Sequence, residues 1–248
     1  MAINRIDVDA LKKHIDDRKT ILVPNLRTKD AVLFQILEGN NGFISPTPKI
    51  FPIDIFIQKL WELNARTGTS DCSFYRIISS EEESLIWESI IETYLKSTPL
   101  LNITETSAVV SRSYQLTRQW ISNKALDQEL ANGFVKRDTV IFSEWIREFQ
   151  NSCQKNSLIS LVDAIESLIN LIYKQKIGGL PEQIVLVNFH DSPPLYQRLF
   201  NTLPNTIYES TSDYRDDVRE NSRSLIEAQN IDQEVVECAK WATKISLD

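Results

Sequence analysis

The chain of 248 residues reads as an α/β protein: a parallel sheet with helices on both faces, interrupted by a large all-helical insertion. Three observations predict this. Ile184 to Val187 is a continuous aliphatic run, too short for a buried helix and preceded by the turn residues Gly178, Gly179 and Pro181. Thr20 to Pro24 (TILVP) is a second such run, and a helical pattern follows each closely. Continuous apolar runs belong to parallel strands covered on both sides. From Ser80 to about Lys176, by contrast, helical patterns prevail and no convincing strand intervenes.

In chain order, Asp7 or Asp9 caps a short helix through Ala10, Leu11 and Ile15 that ends before Arg18. After the strand at Thr20, Asn25 to Lys29 form its exit loop, and Thr28 or Asp30 caps a helix from Ala31 to Glu38 that Gly39 stops. A brief strand is expected around Lys49 to Phe51. Asp54 then caps a helix over Ile55 to Ala65 with Ile55, Ile57, Leu60 and Trp61 as its buried stripe. Arg66 to Ser73 reads as a linker.

Within the insertion, Ser79 with Glu82, or Ser80 with Glu83, forms a capping box for a helix carrying Leu85, Ile86, Ile90, Ile91, Tyr94 and Leu95. A second helix begins at Thr104 or Glu105 and runs through Val109, Tyr114, Leu116 and Trp120. Asp138 or Thr139 caps a third, and Ser157 or Ser160 starts a fourth. Trp87, Trp120 and Trp145 read as packing anchors. Past the strand at Ile184, Asp191 and Ser192 cap a helix opening at Pro193-Pro194 and burying Leu195, Leu199, Phe200 and Leu203. Thr206 to Glu209 and Ser224 to Ala228 are short strand candidates, Thr211 to Asn221 an exposed loop, and the tail an amphipathic helix capped by Asp232. The expected division is residues 1–75 and 179–248 as two parts of one α/β domain, with 76–178 as the helical subdomain.

Composition narrows the function. A net charge of -7 argues against a dedicated basic nucleic-acid binder, although a local basic groove is compatible with an acidic chain. The three cysteines are isolated and lack metal-ligand spacing, which fits a reducing cytoplasm, and there is no apolar run of bilayer length. The six glycines assemble no phosphate loop, and GxxxxGK[ST] is absent. No cofactor is expected. No PD followed by (D/E)xK pattern of a nuclease is found either.

Several segments carry a family resemblance. The strand ending Asn188-Phe189-His190-Asp191, with its polar-Pro step and Leu-rich helix, resembles the strand ending Gly-Phe-Asp-Glu in AddB-type and RecC-type subunits of bacterial recombination helicase-nucleases. ILVPNLRTKDAVLFQIL resembles the AddB-type segment that opens LVP or LVPN; EEESLIWESII and DTVIFSEWIREFQ resemble segments of its helical block. The tail pattern of Asp232, Glu234, Val235-Val236, Ala239 and Trp241 resembles the helix after that motor domain's last strand. The resemblance implies a P-loop-NTPase-like sheet, a degenerate superfamily-one helicase with its nucleotide site lost. It also implies DNA, single-stranded or as a duplex end, as a partner bound weakly by this piece alone. C-terminal helicase-like and nuclease domains and a helicase partner subunit are implied too, with no membrane. The family's chains run on to a PD-(D/E)XK nuclease, so an excised or truncated N-terminal piece is expected.

Carried over by position, Asn25, Arg27, Thr28 and Lys29 are DNA-backbone contacts and Phe51 a base-stacking group. Asn188, His190 and Asp191 stand at the carboxyl edge of the central strand, where open α/β sheets bind ligands. The same residues also serve as turn, capping and core groups. Asn188 occupies the place of a metal-bridging Asp. A rival reading is a nucleotide-dependent hydrolase or transferase using His190 and Asp191, and a third is an interaction module with no DNA role.

Overall fold

The computed structural model describes residues 8–38, 48–68, 71–95, 102–121, 137–189, 191–209 and 231–245. It comprises two compact units, Met1–Ser212 and Asp213–Asp248. The first begins with α1 (Val8–Asp16), β1 (Thr20–Val23), α2 (Leu26–Glu38), β2 (Ile50–Pro52) and α3 (Ile53–Thr67). A 3-10 turn (Asp71–Phe74), β3 (Arg76–Ile77), α4 (Ser80–Leu95), α5 (Ile103–Trp120), α6 (Arg137–Lys155), β4 (Leu158–Ile159) and α7 (Leu161–Tyr173) follow. β5 (Ile184–Val187), α8 (Pro194–Thr202) and β6 (Thr206–Glu209) complete it.

Four strands form a parallel sheet in the order β2-β1-β5-β6, with Ile21 opposite both Ile50 and Val185. The chain leaves β1 toward one edge through α2 and leaves β5 toward the other through α8. Right-handed crossovers running in opposite directions must lie on opposite faces, and the side chains agree. Ile21, Val23, Val185 and Val187 point to a core shared with Leu11 of α1 and Val32 and Ile36 of α2. Leu22, Ile184 and Leu186 alternate to the other face and join a larger core with α3 to α8.

The helical segments between β2 and β5 therefore cover one face of the sheet. Their centre is aromatic: Trp87 stacks on Phe149 at 4.2 Å between ring centres, and Tyr114 packs on both. Polar bonds fix the helices against one another. Asp163 of α7 accepts from Tyr114 Oη and Arg118 of α5 and from Ser160 Oγ, while the buried Glu83 of α4 accepts from Ser111 Oγ at 2.7 Å. Asn64 of α3 binds both backbone groups of Gly178, and a Cβ on Gly179 would collide with Leu63 Cδ2, so the approach to β5 lies tight against α3.

Several expectations need correction. α2 starts at Leu26, so Leu26 to Lys29 are helix rather than exit loop, and Asn25 is the side chain that bonds its first turn. α3 begins at Ile53 after Pro52, with no side-chain cap; Asp54 lies inside it, and Phe56 rather than Ile55 belongs to its buried stripe. The expected linker Arg66 to Ser73 is structured at both ends, because α3 runs to Thr67 and Cys72 lies fully buried in a 3-10 turn; residues 69 and 70 lie outside the described residues.

The helical block also contains a strand, β4, paired in parallel with β3. Leu85, Val109 and Leu116 face outward, and Trp120 is 54% exposed, so it is no packing anchor. α5 begins at Ile103 behind an Asn102 cap rather than at Thr104 or Glu105; Asp138 and Thr139 fall within α6 rather than before it; and α8 opens on Pro193 without a side-chain cap from Asp191 or Ser192. Of the alternatives left open, Ser79 with Glu82 makes the reciprocal capping box and Ser160 caps α7.

In the second unit, α9 (Ile231–Ile245) is amphipathic and contains Asp232 rather than being preceded by it. The expected loop at 211–221 and strand at 224–228 lie outside the described residues. Among the described residues, no helix is long and apolar enough to cross a membrane. Cys72, Cys153 and Cys238 form no disulfide among the described residues.

Candidate nucleic-acid interface

In a doubly wound sheet the point where strand order reverses leaves a crevice at the carboxyl edge. Here that point lies between β1 and β5, which pair directly. β1 delivers Pro24 and Asn25 to it, and β5 delivers Asn188.

Asn25 is exposed, and its Oδ1 accepts the backbone N–H of Thr28 at 2.9 Å and the Thr28 hydroxyl at 3.1 Å. Both side chains are therefore engaged in starting α2. This leaves Arg27, exposed, and Lys29, half-buried, as the cations of that helix terminus. Asn188 is left-handed at φ 63°, and its Oδ1 is buried with no hydrogen-bond partner among the described residues. Asp191 is exposed in the turn beyond, while His190 lies outside the described residues.

Phe51 stands one residue before the end of β2, opposite Leu22 of β1. Its ring is half-buried against the large core, and Lys59 Nζ sits 4.3 Å from the ring centre. One ring face is thus already occupied. Phe51 also points to the sheet face opposite α2, so Phe51 and Arg27 share an edge but not a face.

The other helix starts at this edge differ chemically. α8 opens on Pro193 and Pro194, which lack N–H groups, and so presents no complete backbone cradle for an anion. α3 opens with Asp54, whose carboxyl is raised by burial although Tyr196 Oη donates to it at 3.3 Å. The Tyr196 phenol is itself raised, by burial and then by the Asp54 charge. Asp54, Glu83, Gln115, Gln119 and Tyr196 line a small cleft of about 100 Å³. Two carboxylates and no basic lining residue make it inhospitable to phosphates.

Sequence reasoning missed this polar cleft. Glu83 had a local signal, since a carboxylate four residues before Trp87 shares its helix face and meets the indole N–H at 3.4 Å. The Asp54 to Tyr196 bond had none, because it spans 142 positions. No group of three or more His, Cys, Asp or Glu side chains positioned for a metal occurs among the described residues. The chain matches no protein-family model and no curated relative.

Proposed function

We propose that the chain is the N-terminal helicase-like region of a cytoplasmic AddB-type DNA repair and recombination protein. On this reading it is a P-loop-NTPase-like frame without ATPase activity that helps bind and guide DNA ends. It also packs against further helicase-like and nuclease domains and a helicase partner subunit. The observation that carries the reading is the direct pairing of β1 with β5, although the chain between β2 and β5 builds a helical block on one face of the sheet. An interrupted parallel sheet of this kind is the plan of a superfamily-one motor domain.

The edge chemistry supports the silent half of the proposal. ATP hydrolysis needs a Gly-rich backbone cradle with its Lys and Ser or Thr, and the sequence contains none. The cleft beside β2 is acidic. Support for DNA contact comes from Arg27 and Lys29 at the positive end of α2, where a phosphate gains from both the side chains and the helix terminus.

The test is fluorescence anisotropy of labelled single-stranded and forked DNA with the full chain, over about 50 to 200 mM salt. Binding should weaken linearly in log-log form. An R27A/K29A chain should lower the slope for single strands by about 1.4, at roughly 0.7 for each phosphate that is no longer neutralised. Binding with no salt slope leaves an interaction module instead. Magnesium-dependent ATP turnover abolished by Asp191→Ala would establish the enzyme reading.

A further inference from the structure

Between α3 and β3 an aromatic side chain is held out into solvent by a turn pinned on both sides. Before it, Cys72 is fully buried. After it, the Tyr75 carbonyl accepts the Trp61 indole N–H at 2.8 Å, and the Arg76 and Ile78 N–H groups bond to the β4 side at 3.0 Å. Within this clamp Phe74 is 69% exposed. A single exposed apolar residue is ordinary on any surface. What sets Phe74 apart is a pair of open clefts, of about 540 and 700 Å³, that share Trp61, Phe74, Tyr75 and Ser157.

The linings describe the ligand. Gln58 lines the first cleft, and Gln154 and Ser167 line the second. Arg76 also lines the first, but Glu82 holds its guanidinium through two bonds of 2.7 and 2.8 Å, so its charge is compensated. Aromatic faces with amide and hydroxyl groups suit a flat, neutral molecule that hydrogen-bonds at its edge. A nucleobase has that chemistry. Glu62 on the first cleft repels phosphate, and the second is lined by neutral side chains, so both favour the base over the backbone.

Resting on the DNA reading above, we infer that Phe74 is a stacking platform for unpaired bases of single-stranded DNA. Its ring forms the wall between two clefts that each accept a base. It takes the role that sequence position assigned to Phe51, whose ring is partly covered. Stacking tolerates any base, so the site contributes affinity without sequence preference.

The experiment compares the full chain with its Phe74→Ala, Phe74→Tyr and Phe74→Trp variants, using labelled oligothymidylate and a blunt duplex of equal length. Stacking is worth about 1–3 kcal/mol per base, so Phe74→Ala should weaken oligothymidylate binding by about 5- to 150-fold. Phe74→Tyr should retain affinity, and Phe74→Trp emission should be quenched on titration. Duplex binding should not change. Phe34→Ala, an exposed ring on α2, serves as the control for nonspecific loss of apolar surface. If the unaltered chain binds oligothymidylate but Phe74→Ala matches it within about twofold, against the expected range, the inference is overturned and the DNA reading survives. An equal loss on duplex overturns it too, because stacking needs unpaired bases. If the unaltered chain binds no single strand, the proposed function itself falls.

Discussion

Substitutions at Asn25 separate its part in starting a helix from the DNA contact proposed for this edge. Asn25 Oδ1 holds the N–H of Thr28, one of the four N–H groups that an α-helix leaves without an internal partner at its start. Asn25→Ala removes that acceptor at an expected cost of about 1 kcal/mol. The Thr28 hydroxyl adds little, since it is near solvent and exchanges Asn25 for water. For a domain of this size the loss corresponds to a drop in Tm of about 2–4 °C. Asn25→Ser and Asn25→Asp keep an oxygen in place and should restore stability to within a few tenths of a kcal/mol, about the spread among good caps. Asp also adds a negative charge to the positive end of α2, a further gain of about 0.3–1 kcal/mol at low salt. DNA reverses that preference, because the same charge repels phosphate beside Arg27 and Lys29. Thermal melts should therefore rank Asp at or above Asn and Ser, with Ala below. Low-salt anisotropy should rank Asn and Ser above Asp. An Ala variant that melts like the unaltered chain refutes the cap, and an Asp variant that binds DNA undiminished refutes the phosphate path at this edge.

Asp163→Ala should be far more damaging: it strips Arg118, whose side chain is 11% exposed, of its carboxylate and removes the acceptor of the Tyr114 and Ser160 hydroxyls. A loss of about 3–5 kcal/mol in urea unfolding is expected, a large share of the roughly 5–15 kcal/mol that holds a domain together. Glu82 provides a pH signature. The Arg76 side chain and then the Ser79 N–H hold its carboxyl at about 2, below the ordinary 4.5. Its contribution is therefore complete above about 4.5 and lost as pH falls toward 2, so the difference in Tm between the unaltered chain and Glu82→Gln should shrink across that window, and with added salt. Asn188→Gly removes both a buried acceptor with no partner among the described residues and a left-handed non-glycine residue. Relief of about 1–3 kcal/mol should outweigh the added freedom of the unfolded chain, about 0.4–1 kcal/mol, so Tm should rise. Reduced DNA affinity in the same variant would show that the amide serves binding at the expense of stability.

The strands of the main sheet were legible because β1 and β5 each carry an unbroken aliphatic run, Ile21 to Val23 and Ile184 to Val187, a signal that survives without knowledge of their neighbours. The start of α2 was not. Asn25, Thr28 and Asp30 are all good caps, and only the folded backbone shows that Asn25 holds the N–H. Gly68 through Asp71 have the composition of a linker, yet Cys72 immediately afterwards is buried against α3, a tertiary fact with no local sign. β4 is two residues long and pairs with a strand more than half the helical block away, so periodicity had nothing to register. In α4 and α5 apolar residues occupy more than one face, and choosing Leu85 or Val109 for the core required knowing where Trp87 and Tyr114 point. At the candidate edge, neighbouring strands bring Asn25 and Asn188 to one crevice as the strand order demands, but the pleat sends Phe51 to the other face.

If the chain is the silent motor frame proposed above, the separation of core from edge explains how such a frame persists without a nucleotide site. A phosphate loop supplies backbone N–H groups and a lysine at the strand end, none of which contributes apolar surface to the interior. Here the large core is carried by side chains such as Leu22, Ile184, Leu186, Trp87, Phe149 and Leu199, each fully or almost fully buried. At about 1.5–3 kcal/mol for each large aliphatic or aromatic side chain, their burial is indifferent to whether the edge binds ATP. The helical block needs the sheet, because Leu22, Ile184 and Leu186 belong to the same cluster as its aromatic centre. The sheet in turn needs a cover on that face. Each requirement holds with Asn188 at the end of β5 and Pro193-Pro194 at the start of α8. On the proposed reading, a motor fold that loses its chemistry at the edge keeps its reason to fold, and the surfaces proposed to meet DNA, the end of α2 and the ring of Phe74, lie outside that core.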